Sequence, residues 1–111
     1  MDNLKTNDYY LKKIIKDINF VLDHTKDIGN QTELEQDEVL LDSVLFRLIQ
    51  ISENSTKLTE DFKNQYKEVP WHAIRGLRNR IVHDYGDVDV KIVYDTVKSN
   101  LPELIYILEH I

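Results

Sequence analysis

The chain has 111 residues, of which 41% are hydrophobic and 31% charged, and its formal net charge is −6. A chain of this size buries about two-thirds of its unfolded surface, so we expect one domain over residues 1–111. It contains no cysteine. That excludes a disulfide framework, a thiolate zinc site and a thiol nucleophile. The acidic balance argues against non-specific coating of nucleic acid.

The start of the chain, MDNLKTNDYY, has no basic segment leading into an apolar run. No apolar stretch approaches the length of about 18 residues that a membrane span needs. With the lack of cysteine, this favours a cytoplasmic protein that binds no membrane. We also expect no metal and no cofactor, because no histidine has a ligand-spaced partner and no Gly-rich phosphate loop occurs.

Helical periodicity runs through the chain, and only three glycines and two prolines interrupt it. A first helix is predicted over residues 7–27, with Gly29 just beyond its end. Thr32 and Glu35 have the spacing of a capping box, which predicts the start of a long second helix.

Residues 59–68, which follow the second helix, are polar and irregular. This pattern predicts at most one short helical turn there. Pro70 suits the first position of a third helix, where its missing N–H costs nothing. That helix is predicted over residues 70–84, and Gly86 follows it as a break.

The last predicted helix covers residues 90–109, with Asp87 or Asp89 as its N-terminal cap. Pro102 lies inside it and predicts a kink, because proline removes a main-chain hydrogen bond and crowds the preceding turn. Amphipathic helices with short links predict an all-α fold, an antiparallel bundle of four to five helices.

The predicted third helix contains a dense polar set within the sequence RGLRNRIVHDY. On an ideal helix Arg75, Asn79 and His83 lie four residues apart and form one stripe. Arg78 and Tyr85 are seven apart and nearly aligned if the helix persists. Arg78 and His83, however, are about 140° apart around the axis. The arrangement favours a helix edge that faces a cleft.

These residue types can cut RNA without a metal. A base removes the proton of the ribose 2′-OH, the oxygen attacks the neighbouring phosphate, and an arginine stabilises the developing charge. One histidine is few for both base and acid, and a homodimer with facing third helices would supply two. Chemistry alone leaves another interpretation open, in which the arginines are solvated and the histidine interacts with the helix dipole.

The stretch LRNRIVHDY contains Arg78, four residues, His83, one residue and Tyr85. It resembles the Arg-x4-His-x-Tyr motif of HEPN-domain proteins of the HepT type. The likeness extends over residues 69–105, where the Pro-Trp opening, the Arg-Asn pair, the Val-Asp after the motif and the later Leu-Pro have counterparts.

The second helix resembles the family more weakly. In IQISENSTKL, Ser52 stands in place of the glycine of the family's Ile-Gly-Glu segment, and Glu53 matches its acidic residue. Gly86 departs from the pattern, because many relatives have an aromatic residue after the motif tyrosine.

The resemblance implies a homodimeric HEPN bundle in which the two motifs meet at a shared cleft. It implies a metal-independent ribonuclease, the toxin of a type VII-like toxin–antitoxin pair, silenced by a minimal nucleotidyltransferase antitoxin. By position, Arg78 and His83 would be the catalytic pair, and Tyr85 the residue to which the partner attaches AMP. Residues that would support RNA binding are Asn79, Arg75 and Glu53. The RNA target, tRNA or mRNA, stays open.

Two other classes remain open from the sequence. One is a non-catalytic helical subunit that docks on a nucleotidyltransferase, favoured by the single histidine of the motif and the charge of −6. The other is a structural helical protein. Trp71 and Ile74 are predicted core or dimer contacts rather than a base-stacking platform, and His72 a partly exposed helix-start residue, or else one that lines the cleft. A solvated face, or else a phosphate track beside the cleft, is predicted for Lys12, Lys13 and Lys16.

Overall fold

The computed structural model describes residues 5–82 and 87–111, and its regular structure there is helical apart from one isolated β-bridge. The predicted all-α class is confirmed. In chain order the helices are α1 (Asn7–Thr25), α2 (Gln31–Gln36), α3 (Glu38–Ser55), α4 (Glu60–Gln65), α5 (Trp71–Ile81), α6 (Val90–Asp95), a π-helical segment (Thr96–Asn100) and α7 (Leu101–Glu109).

The packing of α1 against α3 forms the centre of the bundle. The two helices run antiparallel, since Asp17 pairs with Arg47 while Asn7 bonds to Thr59. Their inward stripes, with those of α5 and α7, make one apolar core whose fully buried members include Ile14, Ile18, Val21, Val44, Leu48, Ile51, Ile81, Val93, Val97 and Leu101. Among the described residues, no helix is both long and apolar enough to span a bilayer.

The predicted long second helix is wrong, because the chain breaks at Asp37 into α2 and α3. Asn30 rather than Thr32 caps α2, since the Asn30 side chain accepts a hydrogen bond from the Glu33 N–H at 2.9 Å. The Glu33 carboxylate in turn accepts from the Gly29 N–H. The Asp37 carboxylate caps α3 by accepting from its third main-chain N–H. Each short polar side chain satisfies an N–H that has no partner within its helix.

Helix α5 is shorter than the predicted range of 70–84. Pro70 is the residue before its first turn, and the helix ends at Ile81. Val82 is extended and forms an antiparallel bridge with Val88, and the Asp89 N–H donates to the Ile81 carbonyl at 2.9 Å. This β-type pairing takes a carbonyl that a continuing helix would use, and β-branched valine favours the extended conformation.

The single last helix predicted over residues 90–109 is also interrupted. Asp89 caps α6 as expected, accepting from the Ile92 N–H at 3.1 Å. The interruption is a π-helical turn upstream of Pro102, which is the second residue of α7. Since proline lacks an N–H and crowds the carbonyl four residues before it, the turn ahead of Pro102 widens.

Candidate active site

Helix α5 has one apolar and one polar face. Its buried residues, which pack toward α3 and the core, are Ile74, Leu77 and Ile81. The rest of its surface is exposed and carries Arg75, Arg78, Asn79 and Arg80. The 3.6-residue period therefore places an apolar stripe on the core and leaves three arginines in water on an acidic protein.

The side chain of Arg78 is exposed and forms no ion pair within the described ranges 5–82 and 87–111. Its main-chain oxygen accepts the N–H of Val82 at 3.0 Å, closing the last turn of α5. The negative end of the helix dipole stabilises a cation there. A guanidinium held on a packed helix, with its donors free, can bind a phosphate through two parallel hydrogen bonds.

The main chain of α5 is tied to α3 at the polar face. The Ser52 hydroxyl, 3% exposed as a residue, donates to the Arg75 carbonyl at 2.9 Å. Sequence reasoning missed this contact; its signal was a small polar residue directly after buried Ile51. Glu53 follows on the exposed side of α3 and forms no ion pair with any described residue. This hydrogen bond therefore brings Glu53 and Arg75 to the same crossing of α3 and α5.

The described residues include only part of the predicted site. Arg75 and Asn79 lie one turn apart on α5, as the helical stripe predicted. His83 and Tyr85 fall outside the described residues. Because α5 ends at Ile81, the angle of an ideal helix between Arg78 and His83 does not apply. The described flanks of that segment, Val82 and Val88, pair at the end of α5, about one turn beyond Arg78.

Other predicted residues also have definite positions. Ile74 belongs to the core, and half-buried Trp71 packs against it while donating its indole N–H to the Tyr66 carbonyl at 3.0 Å. His72 is exposed at the start of α5, as predicted. On α1, the side chains of Lys12, Lys13 and Lys16 are exposed, and Lys12 forms an ion pair with Asp8. Among the described residues, no cluster of three or more His, Asp or Glu side chains could hold a metal ion.

Comparison with known proteins identifies the family. The family model described as ribonuclease HepT-like matches residues 14–111. The chain belongs to the HepT-like ribonuclease family. This confirms the family suggested by the motif and supports a ribonuclease with an RNA substrate.

Several relatives of this HepT-like chain are named as candidate ribonucleases. One, from Caldanaerobacter subterraneus subsp. tengcongensis, is 30% identical over 91% of this chain and 89% of its own length. Another, from Thermococcus cleftensis, is named as a candidate ribonuclease HepT and is 32% identical over 86% of each chain. A third, from Methanocaldococcus jannaschii, is 30% identical, again over 86% of each chain. No solved structure is significantly similar to the chain.

Proposed function

We propose that this chain is the toxin of a type VII-like toxin–antitoxin pair, a metal-independent endoribonuclease that acts on RNA in the cytoplasm. The observation that carries the proposal is the exposed Arg78, which forms no ion pair with the described residues, on a helix anchored in the core of a member of the HepT-like ribonuclease family. Arg78 and His83 are the proposed catalytic residues, with Asn79, Arg75 and Glu53 in support.

In the proposed reaction His83 accepts the proton of a ribose 2′-OH, and that oxygen bonds to the adjacent phosphorus. The bond from phosphorus to the 5′-oxygen of the next nucleotide breaks, and this oxygen takes up a proton from water or from a protonated motif histidine as it leaves. Arg78 stabilises the negative charge on the phosphate oxygens in the transition state. The products are a 2′,3′-cyclic phosphate and a 5′-hydroxyl end.

Cleavage of RNA by the purified protein in excess chelator tests this proposal. His83→Ala should lose a factor of about 10² to 10⁴ in rate, the usual contribution of a general acid–base group. Arg80→Ala, which removes an exposed charge from the same helix at about 160° around its axis from Arg78, is the control and should retain activity. Equal activity of the parent and His83→Ala would remove His83 from the chemistry.

We further propose that the active form is a homodimer. A single motif histidine has to serve as base and as acid, and a second copy with α5 facing the first supplies another. Light scattering of the purified protein should give twice the chain mass of 13.2 kDa. A monomer that cleaves RNA at full rate would contradict this part of the proposal.

The proposed partner is a minimal nucleotidyltransferase antitoxin that attaches AMP at Tyr85. The phenol oxygen bonds to the α-phosphorus of ATP, pyrophosphate leaves, and the phenolic proton passes to a base or to water. Co-expression should add one adenylyl group to the parent and none to Tyr85→Phe, as measured by mass spectrometry. A stable complex that cuts no RNA would favour the alternative of a non-catalytic docking subunit.

A further inference from the structure

A second basic region lies beside the motif face of α5. Between the end of α3, helix α4 and the start of α5 is an open hollow of about 470 Å³. We call it the basic hollow; the lining side chains that matter here are Lys63, Lys67, Trp71, His72, Arg75 and Glu60. The family motif does not include Lys63, Lys67 or His72.

The charge of this region is opposite to that of the chain. Residues 56–80 hold six Lys and Arg against three Asp and Glu, whereas the whole chain holds 14 against 20. Lys63 pairs with Glu60 at 3.2 Å. Lys67 and Arg75 are exposed and form no ion pair with any described residue. Two cations with no ion-pair partner among the described residues, on an acidic protein, attract an anion.

The floor of the hollow is built as a rigid unit. The Trp71 indole N–H donates to the Tyr66 carbonyl at 3.0 Å, which joins the start of α5 to the end of α4. Phe62 packs on Tyr66 and Trp71, with ring centroids 5.0 and 6.2 Å away. Thr59 caps α4 by accepting the Phe62 N–H. Charged groups on such a floor lose little further conformational entropy when they bind a ligand.

The hollow continues into the proposed catalytic face through Arg75, which belongs to both. From His72 to Arg78 the rise along α5 is about 9 Å, at 1.5 Å per residue. That separation is of the order of one or two nucleotides of single-stranded RNA. The rings of half-buried Trp71 and exposed His72 add faces on which an unpaired base can stack.

We propose that the basic hollow is a subsite for single-stranded RNA, binding a phosphate and a base on one flank of the bond that is cut. Lys67 and Arg75 contact the phosphate, and His72 or Trp71 stacks on the base. The inference rests on the proposed ribonuclease function. It adds that RNA substrates long enough to extend from the motif into the hollow bind more tightly than a dinucleotide does.

The test uses two double variants. The hollow pair combines Lys67→Gln and His72→Gln. The matched pair combines Lys26→Gln and His110→Gln, which changes the same residue types outside the hollow. All proteins carry His83→Ala so that RNA stays intact during binding. The probe is a labelled oligouridylate of about 12 nucleotides, within the range that such sites cover. We expect the hollow pair to weaken binding about tenfold at low salt. It should also lower the slope of log affinity against log salt by about 0.7, the value for one phosphate contact on a single strand.

Trp71 gives a local readout, because it is the only tryptophan of the chain and it lines the hollow. Its emission should change when the oligouridylate binds and should change less in the hollow pair. Unchanged emission on binding, or an equal loss of affinity in the matched pair, would overturn the proposal. So would binding of polyglutamate as tight as that of the oligouridylate, because the hollow would then select acidic protein segments instead.

Kinetics with His83 intact separate this inference from the proposed function. The hollow pair should raise KM for a long substrate several-fold, leave kcat within about twofold and leave cleavage of a dinucleotide unchanged. If the unmodified protein cuts no RNA but the oligouridylate results are as expected, the proposed ribonuclease function is wrong and the hollow still binds RNA. A hollow pair that cuts and binds like the parent would remove only the subsite.

Discussion

The Ser52 hydroxyl donates a hydrogen bond to the Arg75 carbonyl at 2.9 Å, and this bond joins α3 to the helix that carries the arginines. Its effect is to hold the main chain beneath the polar face while the Arg75 side chain remains exposed. The main chain that carries Arg75 is therefore held in place by a buried contact with α3.

Replacing Ser52 by alanine should lower the free energy of unfolding by about 1 kcal/mol, because a buried hydrogen bond is lost. Urea denaturation gives the difference. Ser99→Ala on the exposed face of the π-helical segment is the control, since it removes a hydroxyl that makes no hydrogen bond to the described residues. Equal unfolding midpoints for the two variants would show that the Ser52 bond contributes nothing measurable.

The ion pair between Asp17 and Arg47 should matter more than a surface pair. The two side chains are 10% and 26% exposed, their closest atoms are 2.7 Å apart, and Arg47 stacks over Phe20. Asp17→Ala should cost about 3 kcal/mol of unfolding free energy, because it leaves a largely buried guanidinium without its partner.

The matched surface pair is Asp8 with Lys12, at 3.0 Å and largely exposed. Asp8→Ala should change the stability by no more than about 0.5 kcal/mol, since solvent screens such a pair. Both variants remove one carboxylate of α1, so thermal denaturation compares them directly. A similar loss in both would mean that burial of the Asp17 pair has no energetic consequence.

Arg78→Lys tests geometry separately from charge. The substitution keeps the positive charge but removes the planar fork that binds phosphate through two hydrogen bonds, so the cleavage rate should fall at least about tenfold. Arg80→Lys, on another exposed side of the same helix, should have little effect. Folding should be unchanged in both, since both side chains are exposed. Equal rates for Arg78→Lys and the parent would show that charge alone is sufficient.

Gly76 offers a stabilising substitution inside α5. A Cβ built there meets no atom of the described residues within 4 Å, and alanine favours a helix interior by about 1 kcal/mol over glycine. Gly76→Ala should therefore raise the urea midpoint. A lowered midpoint would contradict the open space around Gly76 and would indicate that another surface covers this face of α5.

How far the sequence predicts this protein depends on the range of the interactions involved. Apolar periodicity predicted the all-α class and the first helix correctly, and Ile74, a predicted core or dimer contact, is buried in α5. The predicted ends of α5 were wrong, and the break at Asp37 was not predicted. They depend on competition between local caps, and on pairing with Val88 across a turn.

By itself, then, the sequence determined the all-α class, the family through its motif spacing, and the separation of α5 into an apolar and a basic face. These follow from interactions between residues that are near one another in the chain. Only the tertiary structure decided that Ser52 bonds to the main chain of Arg75, that Trp71 joins the end of α4 to α5, and that Lys63 of α4 and Lys67 after it lie beside the motif helix. Such contacts join separate segments of the chain, and their geometry exists only when the helices pack together.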